Sequence, residues 1–302
     1  MHPVLRAHLE ATPQEVRDWA FGREEAWDAW SLRPRILRDV STVSTTLTLY
    51  GEQLASPIGV APTATHTRAH PEGEAATVVG ASGHLLVVSS RRSVPATPVG
   101  PWWWQSYVLR DRGETVRAAV EAAALGASAV VVTGDTPYLG SDRREPLGEL
   151  EQDPSATLDS VSWLAGETGL PVLVKGVLRA DDALACMDAG AAGVVVSNHG
   201  GRQLPQAVAP SYALSEVVEA VARRVPVLVD GGVRSGADAL RALALGASAV
   251  LVGRPVLWGL AAGGADGVRE CLDALTDDLR HVMGLAGCAS LSDIDPGLVR
   301  PA

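Results

Sequence analysis

Cysteine is scarce. The chain of 302 residues carries three, Cys186, Cys271 and Cys288, far apart and with no CxxC among them. That pattern supports neither a zinc site nor a disulfide framework, and no metal is expected. Long apolar runs are missing as well. None approaches the ~18 residues needed to span a bilayer, and the opening MHPVLRAHLEATPQEV has no apolar signal core. The expectation is a soluble, cytoplasmic protein with no membrane partner. Basic side chains are the minority, 25 against 35 acidic, for a net charge of −10. General nucleic-acid binders show a basic face, so no nucleic-acid partner is expected, although a local basic pocket for a small anion stays open. No GxGxxG follows an apolar run and no GxxxxGK[ST] occurs, which leaves a nicotinamide Rossmann site or a P-loop without support.

What is present is apolar and periodic. Hydrophobic residues make up 47% of the chain, enough for a large core. Short apolar runs recur at Ile58–Ala61, Leu85–Val88, Trp102–Trp104, Ala129–Val132, Val172–Val174, Gly193–Val196, Val227–Val229 and Ala249–Val252. They are too short and too β-branched for helices and read as strands. Ala-rich segments at helical spacing separate most of them, including Glu114–Leu125, Ala180–Ala189, Ser215–Arg223 and Gly236–Leu245. Several close on a glycine (Gly126, Gly190, Gly246) suited to a left-handed helix cap. Strand, helix, glycine, strand, repeated over eight units, predicts an α/β fold: a (β/α)8 TIM barrel occupying residues 1–302 as one domain. The alternative is an open doubly wound sheet. Residues 1–50 read as a short N-terminal helical cap, too short for a core of their own. Thr12-Pro13-Gln14-Glu15 is a helix start, and Val16, Trp19, Ala20, Trp27 and Trp30 follow, with Gly22 interrupting or ending the helix. Ser41–Tyr50 reads as a strand.

Barrels of this kind keep their chemistry at the carboxyl ends of the strands. Just past the successive runs stand Pro62-Thr63-Ala64, Ser89-Ser90-Arg91, Gln105-Ser106-Tyr107, Thr133-Gly134-Asp135, Lys175-Gly176, Ser197-Asn198-His199, Asp230-Gly231-Gly232 and Gly253-Arg254. Every run delivers a polar group to one rim. The last two place glycines beside Arg234 and Arg254, where backbone N–H groups and fixed positive charge suit a phosphate better than plain turns would require. Lys175 ends a buried run and needs a partner or a task. It either holds negative charge on a cofactor or serves as a Schiff-base nucleophile. A lone histidine is most often structural, but His199 has Arg202 close by and shares its rim with Asp135. A histidine held by a carboxylate accepts protons near neutral pH, and an arginine grips a carboxylate with two parallel hydrogen bonds. In Trp102-Trp103-Trp104, strand alternation turns Trp103 to the opposite face from its neighbours; packing is preferred over an aromatic substrate wall.

These residues carry a resemblance. LRPRIL (Leu32–Leu37), APTA (Ala61–Ala64) with HPEGE (His70–Glu74), TGDTP (Thr133–Pro137), LVKGV (Leu173–Val177), SNHGGRQL (Ser197–Leu204), VDGGVRSG (Val229–Gly236) and ALALGASAVLVGRP (Ala242–Pro255) resemble the FMN-dependent 2-hydroxy acid oxidases and dehydrogenases. That family includes glycolate oxidase, lactate oxidase, mandelate dehydrogenase and hydroxymandelate oxidase. The resemblance implies a (β/α)8 barrel that binds FMN and oxidises an (S)-2-hydroxy acid to the 2-oxo acid. It implies His199 as the base, Asp135 as its partner, Lys175 beside flavin N1–C2=O, Tyr107 on the substrate and Arg202 on its carboxylate. FMN contacts fall to Pro62, Thr63, Ala64, Ser89, Gln105, Thr133, Ser197 and Asp230, and the phosphate end to Gly231, Gly232, Arg234, Gly253 and Arg254. It further implies a homo-oligomer, commonly a tetramer, and oxygen or another electron acceptor as second substrate.

Departures from the family pattern mark where this chain differs. Trp19 stands near the place of a carboxylate-binding tyrosine and has no phenol hydroxyl. Arg91 replaces an aromatic residue common in glycolate oxidases; it either meets a polar or anionic group of the substrate or points to solvent. Asp142 occupies the place of a second carboxylate-binding arginine, which Arg143 or Arg144 replaces after a small insertion. The loop after the fourth barrel strand is trimmed to roughly Glu145–Asp159 and leaves the pocket more open, which suits a bulky or carrier-bound hydroxy acid or simply gives weaker sequestration. The preferred substrate is an aryl hydroxy acid such as mandelate or 4-hydroxymandelate. The alternatives are a Schiff-base lyase or aldolase using Lys175, and a flavin-binding barrel with changed or lost catalysis, such as an FMN-dependent isomerase or a scaffold.

Overall fold

The structure is a computed structural model that describes residues 27–137 and 151–302. The expected N-terminal helix start, Trp19, Arg143 and Arg144 lie outside the described residues. Eight parallel strands close into a barrel. In chain order they are β4 (Ile58–Val60), β5 (Leu86–Ser89), β6 (Trp102–Ser106), β7 (Val130–Thr133), β8 (Val172–Val177), β9 (Gly193–Val196), β10 (Val227–Asp230) and β11 (Ala249–Val252), and β11 pairs back onto β4. The open doubly wound sheet is thereby set aside. The helices are α1 (Gly73–Gly80), α2 (Arg112–Ala124), α3 (Asp159–Thr168), α4 (Ala180–Asp188), α5 (Pro210–Val221), α6 (Gly236–Ala244) and α7 (Arg254–Ala286). The connection from β5 to β6 carries no helix.

Strand alternation divides the core in two. Leu85, Val87, Trp103, Val131, Leu173, Val195, Leu228 and Leu251 fill the barrel interior. Their neighbours Leu86, Val88, Trp102, Trp104, Val130, Val172, Val194 and Val250 join the cluster that packs beneath the helices. Such strands are buried on both faces, so they read as continuous apolar runs rather than alternating ones. The Trp triplet behaves as alternation requires: all three rings are buried, Trp103 inside and its neighbours outside. Gly126, Gly190 and Gly246 take the expected left-handed conformation after α2, α4 and α6.

The segment Ser41–Tyr50 corrects the sequence expectation. Only β2 (Leu47–Leu49) is strand, and it turns at Tyr50-Gly51 into an antiparallel partner, β3 (Glu52–Leu54). Both turn residues have positive φ, 48° and 81°, the left-handed pair that a two-residue hairpin turn demands. Leu49, Leu54 and Tyr50 plug one end of the barrel interior, with the Tyr50 ring edge-on to Trp103 at 5.5 Å and its hydroxyl donating to the Ala192 carbonyl at 2.7 Å. A further unexpected pair joins β1 (Trp30–Leu32) to β12 (Val299–Pro301), tying the start of the described chain to its C-terminus.

Helix α1 lies close against α7. A Cβ on Gly80 would overlap the Ala265 carbonyl oxygen and come within 2.6 Å of Val268 Cβ. Gly80→Ala is therefore expected to destabilise the fold by about 1–3 kcal/mol, since neither contact is a flexible side-chain end. Equilibrium urea unfolding measures this; a variant as stable as the parent would show that the two helices can separate at no cost.

Candidate active site

The carboxyl ends of β7, β8, β9 and β10 meet around one buried charge. Lys175, on β8, is 3% exposed. Its ammonium pairs with Asp230 Oδ2 at 3.0 Å and donates to Ser197 Oγ at 2.7 Å. Burial pulls the lysine pKa down, but Asp230 and Asp135 outweigh it and the net shift is upward. The ammonium is held charged, and a charged amine is no nucleophile, so the Schiff-base reading loses its chemical basis.

Ser197 Oγ also accepts the His199 backbone N–H at 3.1 Å. His199 sits at φ 57°, uncommon for a residue with a side chain, and Gly200 and Gly201 follow it at 65° and 73°. This turn brings the imidazole to Asp135, beyond the end of β7. His199 Nδ1 lies 3.1 Å from Asp135 Oδ1 and 3.3 Å from Oδ2. Burial raises the Asp135 carboxyl, yet the His199 hydrogen bond and the charges of His199 and Lys175 outweigh it and hold the carboxyl below its ordinary value. An ionised carboxylate on Nδ1 takes the Nδ1–H and leaves Nε2 as a proton acceptor.

Tyr107 completes the cluster. Burial raises its phenol pKa, and Arg91, Lys175, Asp135 and Arg202 are all close enough to act on it electrostatically. The Arg91 guanidinium stacks over the Tyr107 ring at 4.8 Å, so Arg91 turns toward the site and the solvent-pointing reading fails. Arg202 itself is an exposed residue. Beside them Ser89 Oγ donates to Gln105 Oε1 at 3.0 Å, and Gln105 Nε2 donates to Thr133 Oγ1 at 2.9 Å, one polar chain across three adjacent strands. At the far side Gly231 and Gly232 have φ of 95° and 79°, and Gly253 leaves room for Thr63, whose Cγ2 would stand 3.3 Å from an added Cβ. Arg254 reaches back to the histidine turn, 3.3 Å from where a Gly200 Cβ would lie.

Three contributors escaped the sequence reading. His66 is buried and bonds Thr63 Oγ1 at 2.6 Å and Thr77 Oγ1 at 2.9 Å. Glu74 accepts from the backbone N–H groups of His66 and Ser93 at 3.1 and 2.9 Å, fastening the loop after β4 to the loop that carries Arg91. Gly176, at φ 105°, lies against Asp135: an added Cβ would come within 2.6 Å of Asp135 Cβ. HPEGE is the signal that could have exposed Glu74; nothing local marks His66.

A parallel barrel hosts many chemistries, and comparison with known proteins decides the class of this one, with its histidine–carboxylate pair and buried lysine at the mouth. The family profile described as FMN-dependent dehydrogenase matches residues 18–150 and 144–301, and the chain belongs to that family. It is an FMN-dependent enzyme of the 2-hydroxy acid oxidase and dehydrogenase class, acting on CH–OH. It is 41% identical to 2-hydroxyacid oxidase 2 of Rattus norvegicus, over 89% of this chain and 86% of the relative. It is 40% identical to 4-hydroxymandelate oxidase of Amycolatopsis orientalis, over 95% and 94%. Among solved structures, a mandelate oxidase variant with (S)-mandelic acid superposes with a TM-score of 0.88 at 38% identity, over 99% of this chain and 97% of the other. The same enzyme with a monooxide FMN adduct gives 0.88 at 39%, over 99% of each.

The residues present fit FMN. The positive-φ pair Gly231-Gly232 forms a side-chain-free cradle near a helix start, the setting that suits a phosphate. Asp230 Oδ1 is buried and has no hydrogen-bond partner among the described residues, leaving an acceptor for which the ribityl hydroxyls are suitable donors. Gly176→Ala should push Asp135 off His199 and lower kcat on the order of ten- to a hundred-fold, because small misplacements at a reacting centre are costly. Steady-state oxidation with a melting-temperature control tests it; an unimpaired kcat would show that Asp135 need not sit there.

Proposed function

We propose that the protein oxidises an aryl (S)-2-hydroxy acid of the mandelate or 4-hydroxymandelate type to the 2-oxo acid, with His199 as the base. The observation that carries the chemistry is the His199–Asp135 contact, 3.1 Å at Nδ1, with a buried ammonium beside it. The substrate assignment is supported by the full-length likeness to mandelate oxidase and 4-hydroxymandelate oxidase.

FMN, when bound, supplies the two-electron acceptor. Pro62, Thr63, Ala64, Ser89, Gln105, Thr133 and Ser197 would hold its ring, Asp230 its ribityl hydroxyls, and Gly231, Gly232, Arg234, Gly253 and Arg254 its phosphate. Arg202 clamps the substrate carboxylate, and Tyr107 hydrogen-bonds the substrate oxygen. Nε2 of His199 takes the substrate's proton, and Asp135 stabilises the imidazolium that results. The Lys175 ammonium places a fixed positive charge where negative charge gathers, without reorganising during the reaction. Arg91 lines the same pocket and meets polar substituents of the substrate.

Two substitutions test the roles. His199→Ala should keep bound FMN and lose flavin reduction on the order of a hundred- to ten-thousand-fold, the usual worth of a positioned base. Anaerobic stopped-flow absorbance with (S)-mandelate reads this directly, and normal reduction in the variant would remove the proposed base. Arg202→Lys should raise KM for mandelate about ten-fold or more, because an ammonium cannot make the two-pronged, charge-assisted contact. An unchanged KM would take the carboxylate contact away from Arg202. Parallel runs with glycolate and lactate decide the substrate class: the aryl acid should give the higher kcat/KM.

A further inference from the structure

The loop after β10 is gripped from outside by the N-terminal segment. Trp27 is 1% exposed, and its Nε1–H donates to the carbonyl oxygen of Gly231 at 2.9 Å. Gly231 and Gly232 are the two residues of that loop with positive φ, 95° and 79°. A Gly-Gly peptide unit is the easiest of all to rotate, because no Cβ restricts either side. It is planar and trans, so the carbonyl of Gly231 and the N–H of Gly232 point in opposite directions. Fixing the carbonyl therefore fixes the amide. With the oxygen turned to the buried indole, the Gly232 N–H points the opposite way, and both glycines are only half buried.

We propose that Trp27 is a positioning residue for the FMN phosphate: its indole N–H locks the Gly231–Gly232 peptide with the amide turned toward the phosphate. The proposal rests on the phosphate placement given above. It also gives the segment around Trp27 a function beyond packing. Neighbouring contacts hold the segment in register: Trp30 Nε1–H donates to the Ser211 carbonyl at 3.2 Å, and Asp28 meets Arg241 of α6 at 3.4 Å. Without the indole donor, the peptide is free to turn its oxygen inward, where it would face the phosphate with like partial charge.

The effect belongs to the phosphate alone, which makes it separable from loss of packing. Trp27→Phe keeps an aromatic ring and removes the donor. Its apparent Kd for FMN, measured by flavin fluorescence quenching, should rise about three- to ten-fold, the worth of one hydrogen bond. Its Kd for riboflavin, which has the same ring and ribityl chain without the phosphate, should not change. Equal weakening of both flavins, or none of either, would overturn the proposal. Should the variant not fold, the unsubstituted protein still answers: exchange of the Trp27 indole proton, followed by NMR, should slow more with FMN than with riboflavin. Equal slowing would overturn the proposal as well. An unsubstituted protein that binds FMN no more tightly than riboflavin would strike the phosphate placement itself, and is distinguishable from failure of Trp27 alone.

Discussion

A single buried ammonium organises the mouth of this barrel. A lysine at 3% exposure is tolerable only if its charge is matched and its protons are accepted, and breaking such a pair costs about 3–5 kcal/mol. Lys175 recruits Asp230 from β10 and Ser197 beyond β9, and Asp135 beyond β7 acts on it through space. Ser197 then takes the His199 amide, and Asp135 takes the His199 ring. Four neighbouring strand ends are thus linked through one charge. The stability gained from a buried ion pair is small compared with an apolar replacement. Its value lies in preorganisation: the imidazole, its carboxylate partner and the cation are held in place by the protein alone.

Much of this was legible in the sequence, for physical reasons that also mark where legibility ended. Parallel strands buried on both faces leave short unbroken apolar runs, and all eight appear within a few residues of their expected positions. Their carboxyl ends carry the polar residues because the interior has no room for them, so the rim could be read one residue past each run. The hairpin at Tyr50-Gly51 was hidden, since a tyrosine in the left-handed region is not a usual turn signal. The pairing of β1 with β12 joins segments at opposite ends of the chain, and three residues of strand carry no period. Gly176 and His66 matter through what they touch in space, Asp135 and Thr63, and neither contact has a local pattern.

At His199, backbone strain and chemistry coincide. His199 holds a left-handed backbone at φ 57°, a conformation costing of order 1–3 kcal/mol for a residue with a Cβ. The surroundings enforce it: Ser197 anchors its amide, Asp135 its ring, and the Arg254 guanidinium lies against Gly200. The turn that carries His199 therefore lies beside Arg254, which follows β11.

The charge balance looks at first unfavourable for such a site. A protein with net charge −10 repels anions, yet this one takes an anionic cofactor and an anionic substrate. Screening resolves the conflict. At physiological ionic strength the Debye length is about 8 Å, so carboxylates on the outer helices contribute little at the barrel mouth. What an incoming carboxylate feels is the local set. Asp135 is engaged by His199 and Asp230 by Lys175, while Arg91 and Arg202 both act on Tyr107. Partly buried charges this close together are screened far less than exposed charges beyond a Debye length. The acidic exterior and the charges at the mouth therefore act over different distances.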